Sequence, residues 1–143
     1  MSNNRWQVSP EVAGALGENA IIDSSTHPPK VGRLHCHFDG WLGDDLLEVF
    51  PCFLVSERLA RAVQQSNLTG WRLATVEVTK GMEFEELYPN RDLPKFSWLQ
   101  VTGDSAADFS LSAEFRLIVS EKALRLLRCF IIENALIEPA NEP

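Results

Sequence analysis

A five-residue phrase occurs twice in the chain: Leu54-Val55-Ser56-Glu57-Arg58 returns as Ile118-Val119-Ser120-Glu121-Lys122. An apolar run precedes each serine, Phe50 to Val55 and Phe115 to Val119, with the length and aliphatic-aromatic content of a buried strand. Serine then stands where a helix N-cap belongs, its hydroxyl placed to accept from an amide two or three residues on. Glu57 and Glu121 follow beside the positive end of the helix, where a carboxylate is favoured by about 0.3–1 kcal/mol. The third helical positions are Leu59 and Ala123, so neither copy is a full capping box.

The helices after the serines are short and amphipathic. Leu59, Ala62 and Val63 form an apolar stripe in the first, and Ala123, Leu124 and Leu127 in the second, as expected of one face packed on a core. Asn67-Leu68-Thr69-Gly70 stops the first helix. The alternation from Trp71 to Thr79 then predicts a strand, with Asn134 to Glu138 as its counterpart in the second copy. The pattern is strand, serine-capped helix, strand, twice. Two copies are too few for a solenoid.

Elsewhere the pattern is weaker. Residues 1–30 carry a possible helix start at Ser9-Pro10-Glu11, with Gly14 and Gly17 cutting it short, and Ala20-Ile21-Ile22 suits a brief strand. Val31 to Phe38 alternates imperfectly as a strand, and Gly40 to Asp45 reads as a turn. Met82 to Pro89 fits a single helical turn or an extended arm. Phe96 to Thr102 fits a strand, and Asp108-Phe109 a loop. Residues 138–143 are polar and proline-bounded, so fraying is expected there. The expected fold is α+β: a single domain over 1–143, with a mixed sheet, two strand–helix–strand units and few short helices.

The charge balance narrows the partners. Thirteen basic against twenty acidic residues give a net charge of −7, which disfavours nucleic acid, whose phosphates most of the surface would repel. No apolar run reaches the ~18 residues of a membrane-spanning helix, and Met1 to Gln7 lacks an apolar export segment. Cys36, Cys52 and Cys129 are odd in number and form no C-x-x-C pair, which suits a reduced, cytoplasmic chain. Cys52 and Cys129 sit among apolar neighbours and read as small buried hydrophobes.

Few residues suggest chemistry. His35 and His37 would share one strand face at a spacing suited to two metal ligands, with Cys52, His27 or Asp39 as conceivable further ligands. Two partly exposed strand histidines are the plainer reading, so no metal or cofactor is expected. Ser56 and Ser120 are explained as structural caps rather than nucleophiles, and no G-x-S-x-G elbow or phosphate-binding glycine loop occurs. No catalytic residues are assigned, and the chain reads as no enzyme. Asp44, Asp45, Glu83, Glu85 and Glu86 read as a solvated acidic face. Of four tryptophans, Trp71 and Trp98 suit the core, whereas Trp41, set between glycines and the Asp44-Asp45 pair, suits an exposed anchor.

Gly43-Asp44-Asp45-Leu46, Leu54 to Leu59, Thr69-Gly70, Leu87-Tyr88-Pro89, Leu93-Pro94, Trp98 to Gly103, Asp108-Phe109, Leu117 to Glu121 and Glu133-Asn134-Ala135 together resemble small bacterial immunity proteins of polymorphic toxin systems. The resemblance runs from Trp41 to Glu138. A related branch carries paired C-x-x-C-G motifs, which this sequence lacks. The resemblance implies a non-enzymatic cytoplasmic protein that binds and neutralises a cognate toxin domain, and supplies no catalytic residues. The acidic surface suits a basic toxin, with Trp41, Asp44, Asp45, Glu83, Glu85 and Glu86 as expected contacts. A metal-binding module or metal-dependent enzyme around His35 and His37 is one alternative, and a structural or self-associating module another. The sequence leaves the oligomeric state open.

Overall fold

The computed structural model describes residues 4–26 and 29–140. In order they form β1 (Arg5–Ser9), β2 (Glu11–Val12), β3 (Gly14–Leu16), β4 (Ile21–Asp23), β5 (Lys30–Arg33), β6 (His35–Phe38), β7 (Leu46–Val49), β8 (Cys52–Ser56), α1 (Glu57–Gln64), β9 (Trp71–Ala74), β10 (Glu77–Lys80), α2 (Met82–Leu87), β11 (Phe96–Val101), β12 (Phe109–Leu111), β13 (Leu117–Ser120), α3 (Glu121–Leu127) and β14 (Leu136–Pro139). The fold is α+β and mostly sheet. A five-stranded sheet runs β2-β7-β8-β11-β9, a four-stranded sheet β12-β13-β1-β14, and a three-stranded sheet β10-β6-β3, with β4 and β5 forming a separate pair.

The repeated phrase is a repeated architecture. In one half β7 and β8 form a hairpin, α1 follows, and β9 returns to the sheet with β11 inserted between β8 and β9. In the other half β12 and β13 form the hairpin, α3 follows, and β14 returns with β1 inserted between β13 and β14. All six strand contacts are antiparallel. The registers correspond: Leu54 faces Trp98 as Ile118 faces Gln7, and Leu73 faces Leu99 as Ile137 faces Val8. The inserted strand follows β9 in the first half but precedes the whole unit in the second. The two halves are therefore related by a permuted order of the same four strands.

Both helices pack into one core. Leu59 and Val63 of α1 and Ala123, Leu124 and Leu127 of α3 meet Val55, Leu99, Val8 and Val119 there. Fully burying each large aliphatic side chain contributes roughly 1.5–3 kcal/mol, so this shared core couples the halves strongly. Alternate residues of β7 and β8 supply a second core on the opposite sheet face, where Leu47, Val49 and Leu54 meet Phe38, Phe84 and Phe96.

Four expectations need correction. No helix starts at Ser9-Pro10-Glu11; β1 and β2 run there instead, because β1 is paired on both sides and Val8 is buried. The single strand expected from Trp71 to Thr79 breaks after Ala74. The chain leaves one sheet and β10 joins another, parallel to β6, with the Glu77 amide donating to the Leu34 carbonyl at 3.0 Å. The tail is paired through Pro139, and the Ala140 amide donates to the Arg5 carbonyl at 2.8 Å. Residues 141–143 lie outside the described residues. Finally, Cys129 is exposed, whereas Cys36 and Cys52 lie in the second core.

Candidate functional site

The acidic turn before β7 is a structural clasp. Asp45 is buried, and its carboxylate accepts from Ser56 Oγ at 2.5 Å, Arg58 Nε at 2.8 Å, Arg58 Nη2 at 2.7 Å and the Ile131 amide at 2.8 Å. Burial pushes its pKa up, but the hydrogen bonds from Arg58, Ser56 and Ile131 outweigh it and hold the carboxyl below its ordinary value. Ser56 in turn caps α1 by accepting from the Leu59 amide. Asp44 is also buried and grips Asn134, accepting from its amide at 2.8 Å and its Nδ2 at 2.9 Å. Glu11 closes the turn from β2, accepting from the Leu42 and Asp44 amides. Desolvation nonetheless raises the Glu11 carboxyl above its ordinary range.

A second clasp mirrors the first. Asp108 accepts from Ser120 Oγ at 2.6 Å, while its other oxygen accepts from the amide and hydroxyl of Thr69. Ser120 caps α3 by accepting from the Ala123 amide at 3.1 Å. Here too burial raises the carboxyl, and the bonds from Ser120 and Thr69 prevail and lower it. The backbone repeats the pattern, since the Ser56 and Ser120 amides donate to the Asp45 and Asp108 carbonyls at 2.8 and 2.9 Å. The clasps are also crossed. Asp45 of the first half holds the loop after α3, and Asp108 of the second holds the loop after α1.

Asp44 and Asp45 are therefore corrected from contact residues to internal anchors. Burial, and for Asp45 four accepted hydrogen bonds, leave them nothing to offer a partner. Trp41 is half-buried: its indole N–H donates to the Asp44 carbonyl at 2.9 Å, and Phe96 meets its ring edge-on. Arg91 lies over Trp41 at 4.8 Å and over Tyr88 at 5.5 Å. Next to Tyr88, α2 buries only Phe84 and exposes Glu83, Glu85 and Glu86. The same short helix leaves Met82 80% and Leu87 68% exposed, and Leu42 beside Trp41 is exposed as well. This face brings together four of the six expected contacts.

The two histidines form a hydrogen-bonded chain. The Asn19 amide donates to His35 Nδ1 at 3.0 Å, which leaves the proton on Nε2, 2.8 Å from Thr79 Oγ1. The same Thr79 hydroxyl is hydrogen-bonded to His37 Nδ1 at 2.9 Å. Gly17 makes room for this arrangement, since a Cβ there would lie 2.3 Å from the His35 ring. Both ring nitrogens of His35 are thus engaged by protein groups. Cys52 belongs to the second core, and burial pushes its thiol, like that of Cys36, up to about 12. His27 lies outside the described residues. Among the described residues no three of His, Cys, Asp and Glu gather around a common point.

The sequence pattern reads Asp108 as a loop residue and assigns no hydrogen-bonding role to Thr69, Asn134 or Arg91. A signal for Asp108 was present: Asp45 and Asp108 stand 11 and 12 residues ahead of the repeated serines. Among the described residues no helix is long and apolar enough to cross a membrane. No family model, no curated protein and no solved structure matches this chain.

Proposed function

We propose that this protein is a non-enzymatic, immunity-type inhibitor that binds a basic bacterial toxin domain in the cytoplasm through the face built by α2 and the Trp41–Arg91–Tyr88 stack. The observation that carries the reading is α2 itself. A six-residue helix that buries one side chain exposes two large apolar residues among three carboxylates. Exposed apolar side chains rimmed by charge suit a protein contact. The carboxylates accelerate encounter with a basic partner, and the apolar side chains supply the desolvated centre. The buried carboxylates Glu11, Asp44 and Asp45, by contrast, are spent on backbone amides and a helix-capping serine, which supports a scaffold whose outside does the work. The resemblance to immunity proteins supplies the toxin as the partner class.

Co-expression with the toxin-like product of a neighbouring gene tests the proposal. A stable complex and rescue from toxicity are expected. Met82→Ala with Leu87→Ala should weaken the complex about 10- to 100-fold, an effect of roughly 1.4–2.8 kcal/mol. Charge reversal by Glu83→Lys, Glu85→Lys and Glu86→Lys should mainly slow association and flatten its salt dependence. Absence of both complex and rescue would exclude the toxin reading. Trp41→Phe should have the smaller effect, since Arg91 and the Asp44 carbonyl already occupy much of the indole.

A further inference from the structure

Glu48 is a buried carboxylate held by one long ion pair and by no hydrogen bond. It lies on β7, directly beside Val12 of β2 in the strand register, and is only 7% exposed. Among the described residues it accepts no hydrogen bond. Arg116 Nη1 stands at 4.0 Å, beyond hydrogen-bond reach. Burial raises the Glu48 carboxyl above its ordinary range, with Arg116 only partly offsetting it. Among the described residues every other buried carboxylate, Glu11, Asp44 and Asp45, is tied to at least one backbone amide.

The side chain lines an open cleft of about 540 Å³. Val12 and Phe50, 69% and 50% exposed, line it together with Glu114, Phe115 and Arg116. The cleft thus combines apolar sides with two carboxylates against one guanidinium, a net negative site in which Glu48 has a long ion pair but no hydrogen-bond donor. Val12 and Phe50 offer apolar cover for an alkyl chain, and Glu48 offers an acceptor for a cation at its end. A guanidinium suits this better than an ammonium. It is more weakly hydrated, so it loses less on entering a confined site, and its planar edge gives two parallel bonds to one carboxylate.

We propose that this cleft is a binding site for an arginine side chain of a partner polypeptide, with Glu48 accepting the guanidinium and Val12 and Phe50 enclosing the alkyl stem. The site is separate from the α2 face and does not depend on the toxin reading. The charged α-ammonium and α-carboxylate of free arginine are strongly hydrated, so a cleft flanked by Val12 and Phe50 favours an arginine whose α-groups are neutral amides within a chain.

Carboxyl-detected ¹³C NMR of the whole protein tests this, with the Glu48 resonance assigned by its loss in Glu48→Gln. Butylguanidinium should shift that resonance saturably, with half-saturation on the order of 10 mM, as one charge-assisted contact implies. Butylammonium should bind roughly tenfold more weakly, and butanol should leave the resonance in place. N-acetyl-arginine methylamide should bind more tightly than free arginine. In the unmodified protein the response should vanish as acid protonates Glu48, a readout that needs no variant. The proposal is overturned if the resonance does not move saturably, if butylammonium binds as well as butylguanidinium, or if Glu48→Gln leaves other shifts responding unchanged. Tighter binding of free arginine would overturn the assignment to a polypeptide.

Discussion

The two halves share a strand order, a capped helix and an aspartate clasp, yet their outer sheet faces differ. In the β7-β8-β11-β9 half, that face presents Leu47, Leu54, Trp98 and Ala74. It is covered by the three-stranded sheet and α2, whose Phe38 and Phe84 complete the second core. In the β12-β13-β1-β14 half, the corresponding positions are Ser110, Ile118, Gln7 and Glu138. There Gln7, Ser110, Ile118 and Glu138 line an open cleft together with Arg5. One architecture thus serves as the middle layer of a sandwich in one half and as an outer wall in the other. What changes between them is the polarity of alternate residues, while the inner face and the caps stay the same.

The sharpest way to break this comparison is to truncate equivalent residues. Leu54→Ala should cost about 3–5 kcal/mol, because a fully buried leucine leaves a cavity among neighbours that cannot collapse. Ile118→Ala should cost about 1–2 kcal/mol, since it belongs to neither core cluster and borders the open cleft. Urea unfolding of both variants measures the difference. Equal losses would show that the outer face of the second half is covered in solution.

The clasps should rank next. Asp45→Ala removes an acceptor from Ser56, Arg58 and Ile131 in a buried setting, and about 2–3 kcal/mol of stability should go with it. Asp108→Ala, at a half-buried position that water can reach, should cost about 1–2 kcal/mol. Hydrogen exchange adds direction. Because the clasps cross, loss of Asp45 should speed exchange at Ile131, and loss of Asp108 should speed it at Thr69. Exchange confined to the half that carries the mutation would break the crossed arrangement.

These differences also mark the limit of what the sequence discloses. The serine caps and the strand before each helix are local, set by residues within three or four positions, and were legible. The burial of Asp44 and Asp45 was not, because two adjacent acids in a glycine-flanked turn carry the pattern of a solvated loop. Their partners Asn134 and Ile131 lie 90 and 86 residues away. The break after Ala74 escaped for another reason: the alternation continues through it, and only the Leu34 carbonyl, just ahead of β6 in a different sheet, marks where the chain changes partners. Likewise β1 reads as weakly patterned because its neighbours, β13 and β14, come from the far end of the sequence. Of the candidate surface, the exposure of Glu83, Glu85 and Glu86 was legible from local charge, whereas the Arg91 cover on Trp41 was not.

Acid titration tests the buried carboxylates as two opposed groups. Asp45 and Asp108 have folded pKa values below their unfolded ones, so their stabilisation is full above the ordinary aspartate value of about 3.9 and is lost as pH falls through the folded values. Glu11 and Glu48 are raised, so the folded state binds their protons first. Stability therefore increases as pH drops from neutral through their folded values towards the ordinary glutamate value of about 4.3. The urea midpoint should accordingly pass through a maximum in mild acid and fall below it. Glu48→Gln should flatten the rising limb and leave the acid fall intact, whereas Asp45→Asn should do the reverse. A profile that falls steadily from neutral pH would mean that the raised glutamates find partners in solution.

The smallest effect separates the cap from the clasp. Ser56→Ala and Ser120→Ala should each cost about 1 kcal/mol, the usual value of a lost N-cap. Each serine also donates to its aspartate, so the loss should not be additive with loss of that aspartate. In the Asp45→Ala background, Ser56→Ala should cost less than in the unmodified protein, with a coupling of about 0.5–1 kcal/mol. The same cycle at Asp108 and Ser120 should give a similar coupling, because the donor distances are 2.5 and 2.6 Å. The two clasps differ in burial and in their other partners, so equal couplings would show that the aspartate–serine unit is a self-contained part, used once in each half. Unequal couplings would assign the difference to Arg58, which the first clasp holds and the second replaces with the hydroxyl of Thr69.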